Sequence, residues 1–167
     1  MPSFDLPKSI DDVQEPEPLE EDFYVCRVVE DPELKPSKKM QNNPDAEDAR
    51  YNLVVKLRVQ SDEPKENGRP LTLYLPWPNA NDKTKLTALG QTFEDMFVAR
   101  IADTAEALMG YKVEGTHVEV SAGQEAWFYV EKVERQDGAG FMNQLSMNMK
   151  PRKLEDAPPS SADEAAF

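Results

Sequence analysis

Apolar and polar residues alternate with a period of two in several stretches, switch to a helical period in the middle of the chain, then alternate again. The sharpest alternation covers residues 50 to 61. Tyr51, Leu53, Val55, Leu57 and Val59 fall on one side and Asn52, Lys56, Arg58 and Gln60 on the other. Side chains of a strand point to opposite sides in turn, so this is a strand with a core face and a basic face. Residues 70 to 77 repeat the pattern, with Leu71, Leu73, Leu75 and Trp77 inward and Thr72 and Tyr74 outward. The turn between them contains Pro64, Asn67 and Gly68, which predicts a hairpin.

Upstream, residues 22 to 30 form a mostly buried strand, with Phe23, Val25, Arg27 and Val29 on one side and Tyr24, Cys26 and Val28 on the other. Residues 31 to 48 hold three prolines and no apolar period, which predicts a long exposed loop. From Asp82 onward, Leu86, Leu89, Phe93, Met96, Phe97 and Ile101 recur at steps of three and four. That spacing predicts an amphipathic helix. Asp103 and Glu106 read as a capping box for a second short helix over 104 to 109, ended by Gly110. Strands follow at 116 to 121, 127 to 135 and about 141 to 149, where Pro151 stops the last. The expected fold is mostly β with one or two helices. A helix between strands three and four is the order of a five-stranded OB-fold-like barrel.

The chain has 167 residues and a formal net charge of -13, which at first argues against nucleic acid. The charge is unevenly placed. Residues 1 to 21 hold seven acids against Lys8, or -6, and residues 154 to 167 hold four acids and no base, or -4. Residues 22 to 153 therefore carry only -3. The reading is an acidic N-terminal arm over 1 to 21, one domain over 22 to 153, and a disordered acidic tail over 154 to 167. The tail, LEDAPPSSADEAAF, is too poor in apolar residues to build a core. Phe167 could still enter a pocket on another protein while Asp163, Glu164 and the terminal carboxylate pair with basic residues at its rim.

Enzyme chemistry finds little to stand on, and no catalytic residue, cofactor or metal is expected. Cys26 and His117 are each alone of their kind, which excludes a disulfide or zinc knuckle within one chain and suits a reducing cytoplasm. Gly138-Ala139-Gly140 lies in a turn rather than before a helix, and no phosphate loop ending in Lys-Ser/Thr is present. Asp45, Glu47 and Asp48 sit in a proline-bearing loop and read as solvated charge. No apolar run predicts a membrane span or a secretion signal. An exposed edge strand is compatible with a homodimer.

With its element order over about 22 to 150, the TAEALMGYKV stretch after the helix, and the DEAAF terminus, the chain resembles phage-encoded single-stranded-DNA-binding proteins with an OB-fold. The resemblance implies a protein that coats single strands during replication, recombination and repair in the bacterial host cytoplasm, with the tail recruiting replication and recombination proteins. The terminus departs from the bacterial pattern in ending Ala165-Ala166-Phe167.

The residues point the same way independently. Sequence-tolerant single-strand binding needs cations along the phosphates and flat rings under the bases, and stacking contributes about 1 to 3 kcal/mol per base. Outward Lys56, Arg58 and Tyr74 meet both needs. Lys35, Lys38 and Lys39, in the loop between the first two strands, are expected to contact phosphates. Lys132, Arg135, Lys150, Arg152 and Lys153 would extend the track. The plainer reading is that Lys56 and Arg58 form an ordinary solvated strand face. Trp77 and Trp127 are expected in the core. The competing function is an acidic DNA mimic, inhibitor or assembly protein that binds a host or phage protein. Such a mimic should carry its carboxylates on the ordered body.

Overall fold

A computed structural model describes residues 17 to 158. Its strands are β1 (Asp22–Val28), β2 (Glu33–Pro36), β3 (Tyr51–Val59), β4 (Pro70–Pro76), β5 (Glu125–Glu134), β6 (Phe141–Leu145) and β7 (Arg152–Lys153). Two α-helices, α1 (Lys38–Asn42) and α2 (Phe93–Met109), and a short 3-10 helix, Ala80–Lys83, complete the order.

The strands form one curled antiparallel sheet. β3 pairs with β4 along its length; its other edge is shared by β2, opposite Tyr51 to Val54, and by β1, opposite Leu57 to Val59. β1 then pairs with β5, whose far edge holds β6 and the two residues of β7. The two ends of this path, β4 and β6, approach each other, which gives a half-barrel of OB-like form. Counting β1, β3, β4, β5 and β6 as the barrel strands, α2 lies between the third and fourth, as the periodicity implied.

The alternating leucines and valines explain why the sheet curls around one core. Val55, Leu57 and Val59 of β3, Leu71, Leu73 and Leu75 of β4, Tyr24, Cys26 and Val28 of β1, and Ala126, Phe128 and Val130 of β5 all turn inward and are buried. Helix α2 adds Ile101, Ala107 and Leu108 to the same cluster. Leu19 joins it as well. Its N–H donates to Asn143 Oδ1 at 2.7 Å and its carbonyl accepts from Asn143 Nδ2 at 2.9 Å, so the described part of the acidic N-terminal stretch runs along the barrel.

Several elements differ from the sequence reading. The stretch 31 to 48 is not simply a loop. Glu33–Pro36 finds a free edge on β3, and Ser37 caps α1 by accepting from the Met40 N–H. One helix of 17 residues replaces the two expected. Thr92 caps it by accepting from Asp95 N–H, Asp103 and Glu106 lie inside it, and Gly110, at φ +83°, ends it in the left-handed region that favours glycine. Leu86 and Leu89 had the helical spacing but belong to a small loop closed by a bridge from Leu86 to Thr92, and Leu89 is 98% exposed. Residues 116 to 121 are not a strand; only Val120 of that stretch packs on the core. The strand expected to reach 149 stops at Leu145.

Trp77 is 41% exposed, because β4 ends one residue before it. Trp127 is half-buried on the outer side of β5, since its neighbours Ala126 and Phe128 take the inner positions.

Candidate nucleic-acid interface

Register places the outward residues of four strands in successive rows. Lys35 on β2 lies opposite Asn52 on β3, and Asn52 opposite Pro76 on β4. The next rows pair Val54 with Tyr74, Lys56 with Thr72, and Arg58 with both Pro70 and, across the other edge, Arg27. Beyond them the Gln60 N–H donates to the Val25 carbonyl at 2.8 Å, Val25 pairs with Trp127, and Trp127 with Arg152. A last row pairs Phe23 with Tyr129, whose rings meet edge to face at 5.1 Å. The outer face therefore carries Lys35, Lys56, Arg58, Arg27 and Arg152 interleaved with Tyr74, Trp127, Phe23 and Tyr129. Tyr74 is 57% exposed.

Four of these cations meet a carboxylate. Lys56 Nζ is 2.9 Å from Glu30, Arg27 is 3.1 Å from Glu125, Lys35 is 3.7 Å from Glu33, and Arg152 is 3.2 Å from Asp156. Arg58 instead donates to the Gly68 carbonyl at 3.1 Å. The Lys56 hydrogen bond and charge hold the Glu30 carboxyl below its ordinary range, and the same bond and the Glu30 charge raise the Lys56 ammonium above its own. Lys56 with Glu30 and Lys35 with Glu33 are solvent-exposed and the other two pairs partly so, so water screens them and they hold their partners weakly. An incoming phosphate can take the place of such a carboxylate.

The outer rings are also anchored. Arg152 stacks over Phe23 with its guanidinium carbon 6.0 Å from the ring centre, and Trp127 Nε1 donates to the Leu154 carbonyl at 3.2 Å. Between Phe23, Val25, Trp127 and the hairpin segment from Gln60 to Asn67 opens a cleft of about 570 Å3.

The structure brings together five of the residues proposed from sequence: Lys35, Lys56, Arg58, Tyr74 and Arg152. It separates the others. Lys38 and Lys39 lie on α1, where Lys39 pairs with Asp48 at 3.8 Å. Lys132 shares the inner parity of Ala126, Phe128 and Val130, lies 3.2 Å from Glu20 and 6.0 Å over the Phe141 ring, and so leaves the outer face. Arg135 follows β5 and pairs with Asp137 at 3.5 Å. Lys150 turns to helix α2, 3.4 Å from Asp103. Lys153 pairs in register with inward Ala126 and reaches Glu155 at 3.8 Å. Asp163, Glu164 and Phe167 lie outside the described residues.

Sequence reading proposes no binding role for Arg27, Phe23 or Tyr129, and it expects Trp127 in the core, whereas its parity in β5 puts it on the outer face. Arg27 and Phe23 share one parity in a strand whose other parity is Tyr24, Cys26 and Val28, which was a usable signal. In WFYVEKVER both parities begin with aromatic residues, so alternation alone could not say which rings face out. The lone thiol and imidazole stay apart from this face. Burial pushes the Cys26 thiol up to about 12, and His117 contacts Glu119 at 3.1 Å.

No protein-family model matches this chain, and no curated protein gives a significant sequence match. Among the described residues, no helix is long and apolar enough to cross a membrane.

Proposed function

We propose that the protein binds single-stranded DNA without strict sequence preference, along the outer face of β1, β3, β4 and β5. One observation carries this reading: cations and flat rings alternate in register on the side of barrel strands two and three, the surface that OB-folds offer to oligonucleotides. Phosphates would follow Lys35, Lys56, Arg58 and Arg27, and bases would stack on Tyr74 and on the Trp127 and Phe23 side. On this reading the protein protects displaced strands during phage replication and recombination in the bacterial cytoplasm. The acidic tail, with Asp163, Glu164 and Phe167, recruits partner proteins.

Fluorescence anisotropy with a labelled oligothymidine across a salt series tests it. Log affinity should fall against log salt with a slope of roughly -0.7 per phosphate neutralised. No binding at low salt would remove the reading. A second reading keeps one specific support: the carboxylates of Glu30, Glu33 and Glu125 sit among those cations, as a DNA mimic's would. A mimic would ignore the oligonucleotide at every salt concentration and bind a basic nucleic-acid-binding protein instead.

A further inference from the structure

The cleft beside Phe23 and Trp127 differs chemically from the rest of the outer face. Asp22, Asp62 and Glu66 stand at its rim, and no lysine or arginine lines it among the described residues. Its floor is aromatic. Asp22 Oδ1 accepts from the Phe23 N–H at 2.8 Å and Glu66 Oε1 accepts from Ser61 Oγ at 2.7 Å, so each carboxylate keeps a second oxygen able to accept. Among the described residues the Asp62 carboxylate makes no hydrogen bond or ion pair. Asn67 is held by its Oδ1, which accepts from the Ser61 N–H at 3.1 Å, so its amide group is fixed at the same rim.

A phosphate placed here would meet three carboxylates among the lining residues, with Arg152 the nearest outer-face cation, over the Phe23 ring. The next row along β1 and β3, however, is Arg27 beside Arg58, and a two-residue step along a strand is roughly 7 Å, close to the spacing of stretched nucleotides. A strand whose phosphates rest on Arg27 and Arg58 would therefore drop a base, not a phosphate, into the cleft. Rings below would stack on it in any case. The rim oxygens would choose among bases, because a carboxylate accepts from the amino group of cytosine and repels the O4 acceptor that thymine presents at the same place.

We infer that this cleft is a base-reading site on the single-strand path, selective for bases bearing an exocyclic amino group over thymine. The inference rests on the single-strand reading above. Cytosine and thymine are the fair comparison, since both are single rings and differ mainly in donor against acceptor at one edge.

The test is anisotropy with labelled oligocytidine and oligothymidine of equal length, at mildly alkaline pH where cytosine is unprotonated. Oligocytidine should bind about fivefold or more tightly. The triple variant Asp22→Asn, Asp62→Asn, Glu66→Gln should bring the ratio close to one, because amides serve the amino group and O4 alike, while thermal melting stays unchanged. Equal binding of the two oligonucleotides by the natural chain, or a preference that survives the triple variant, would overturn the inference and leave single-strand binding standing. Failure of both oligonucleotides to bind would instead remove the single-strand reading itself, and the inference with it.

Discussion

Two cation and carboxylate pairs in this protein look alike on paper and do opposite work. Arg50 and Asp82 form a forked pair at 2.7 and 3.2 Å, with Asp82 fully buried, and Arg50 also lies over the Phe97 ring at 5.0 Å. Lys56 and Glu30 meet at 2.9 Å on the open face, with about half of each side chain exposed. Water cannot compete for the first pair and competes freely for the second. Burial therefore makes one pair a structural lock and leaves the other exchangeable, which is what a site for a phosphate backbone needs.

The lock is more than a pair. Asp82 Oδ2 also accepts from the Asn79 N–H at 2.8 Å, and the Asn79 side chain accepts from the N–H groups of Asn81 and Asp82 in return, which closes a capping box over the 3-10 turn. Asn79 Nδ2 donates to the Glu47 and Ala49 carbonyls at 2.9 and 2.8 Å. Three separate segments thus meet at one carboxylate: the approach to β3, the connection after β4, and helix α2 through Phe97. The largest effect expected from any single change follows. Asp82→Ala strands the Arg50 guanidinium beside an apolar helix and opens the cap, at a cost of about 3 to 5 kcal/mol. Urea denaturation would read it; a loss below about 1 kcal/mol would show that the corner is no lock.

On the open face the same logic predicts a change in binding and not in stability. The triple variant Lys56→Ala, Arg58→Ala, Tyr74→Ala removes the two proposed phosphate contacts and the proposed stacking ring, and should weaken oligothymidine binding by thirtyfold or more. The salt slope should become shallower by about 1.4, two contacts at roughly 0.7 each. Cys26 provides the control, because it sits on the inner side of β1 between Val25 and Arg27 and is fully buried. Its protonated, enclosed thiol should react with a maleimide only when the barrel opens, so an unchanged labelling rate in the triple variant shows that the fold is intact. Faster labelling together with unchanged DNA affinity would refute both halves of the comparison.

How much of this could be read in advance depended on whether a residue's neighbours were local. The β3 and β4 hairpin was legible because ten or so residues of clean alternation leave no other face for Leu57 or Leu73. Lys56, Arg58 and Tyr74 came with it. Leu86 and Leu89 misled for the converse reason: period alone cannot report that the polypeptide has turned away from the core, and the Thr92 cap that starts the helix later is a single hydroxyl. Strand β2 has no apolar alternation of its own to announce it, because it is ordered by pairing with β3, a partner about twenty residues away in sequence. Charge alone points to Lys132 and Lys153, and parity is what takes them off the face. The forked Arg50 and Asp82 pair gave no local sign at all, since its two halves are 32 positions apart.

The smallest effect sharpens the comparison most. Glu30→Gln removes the carboxylate that now occupies Lys56 and should tighten oligothymidine binding two- to threefold at low salt, with the gain fading as salt rises and screens the pair it replaces. Mild acidification should not reproduce it. The hydrogen bond and charge of Lys56 depress the Glu30 pKa in the folded chain, so the pair is intact above the ordinary carboxylate value of 4.5 and is lost only as pH falls through a lower, shifted one. At pH near 5 the natural chain should therefore bind DNA as weakly, relative to Glu30→Gln, as it does at neutral pH. If the variant binds no better than the natural chain at low salt, Lys56 is not a phosphate contact, and the exposed pair is as much a fixture of the fold as the buried one.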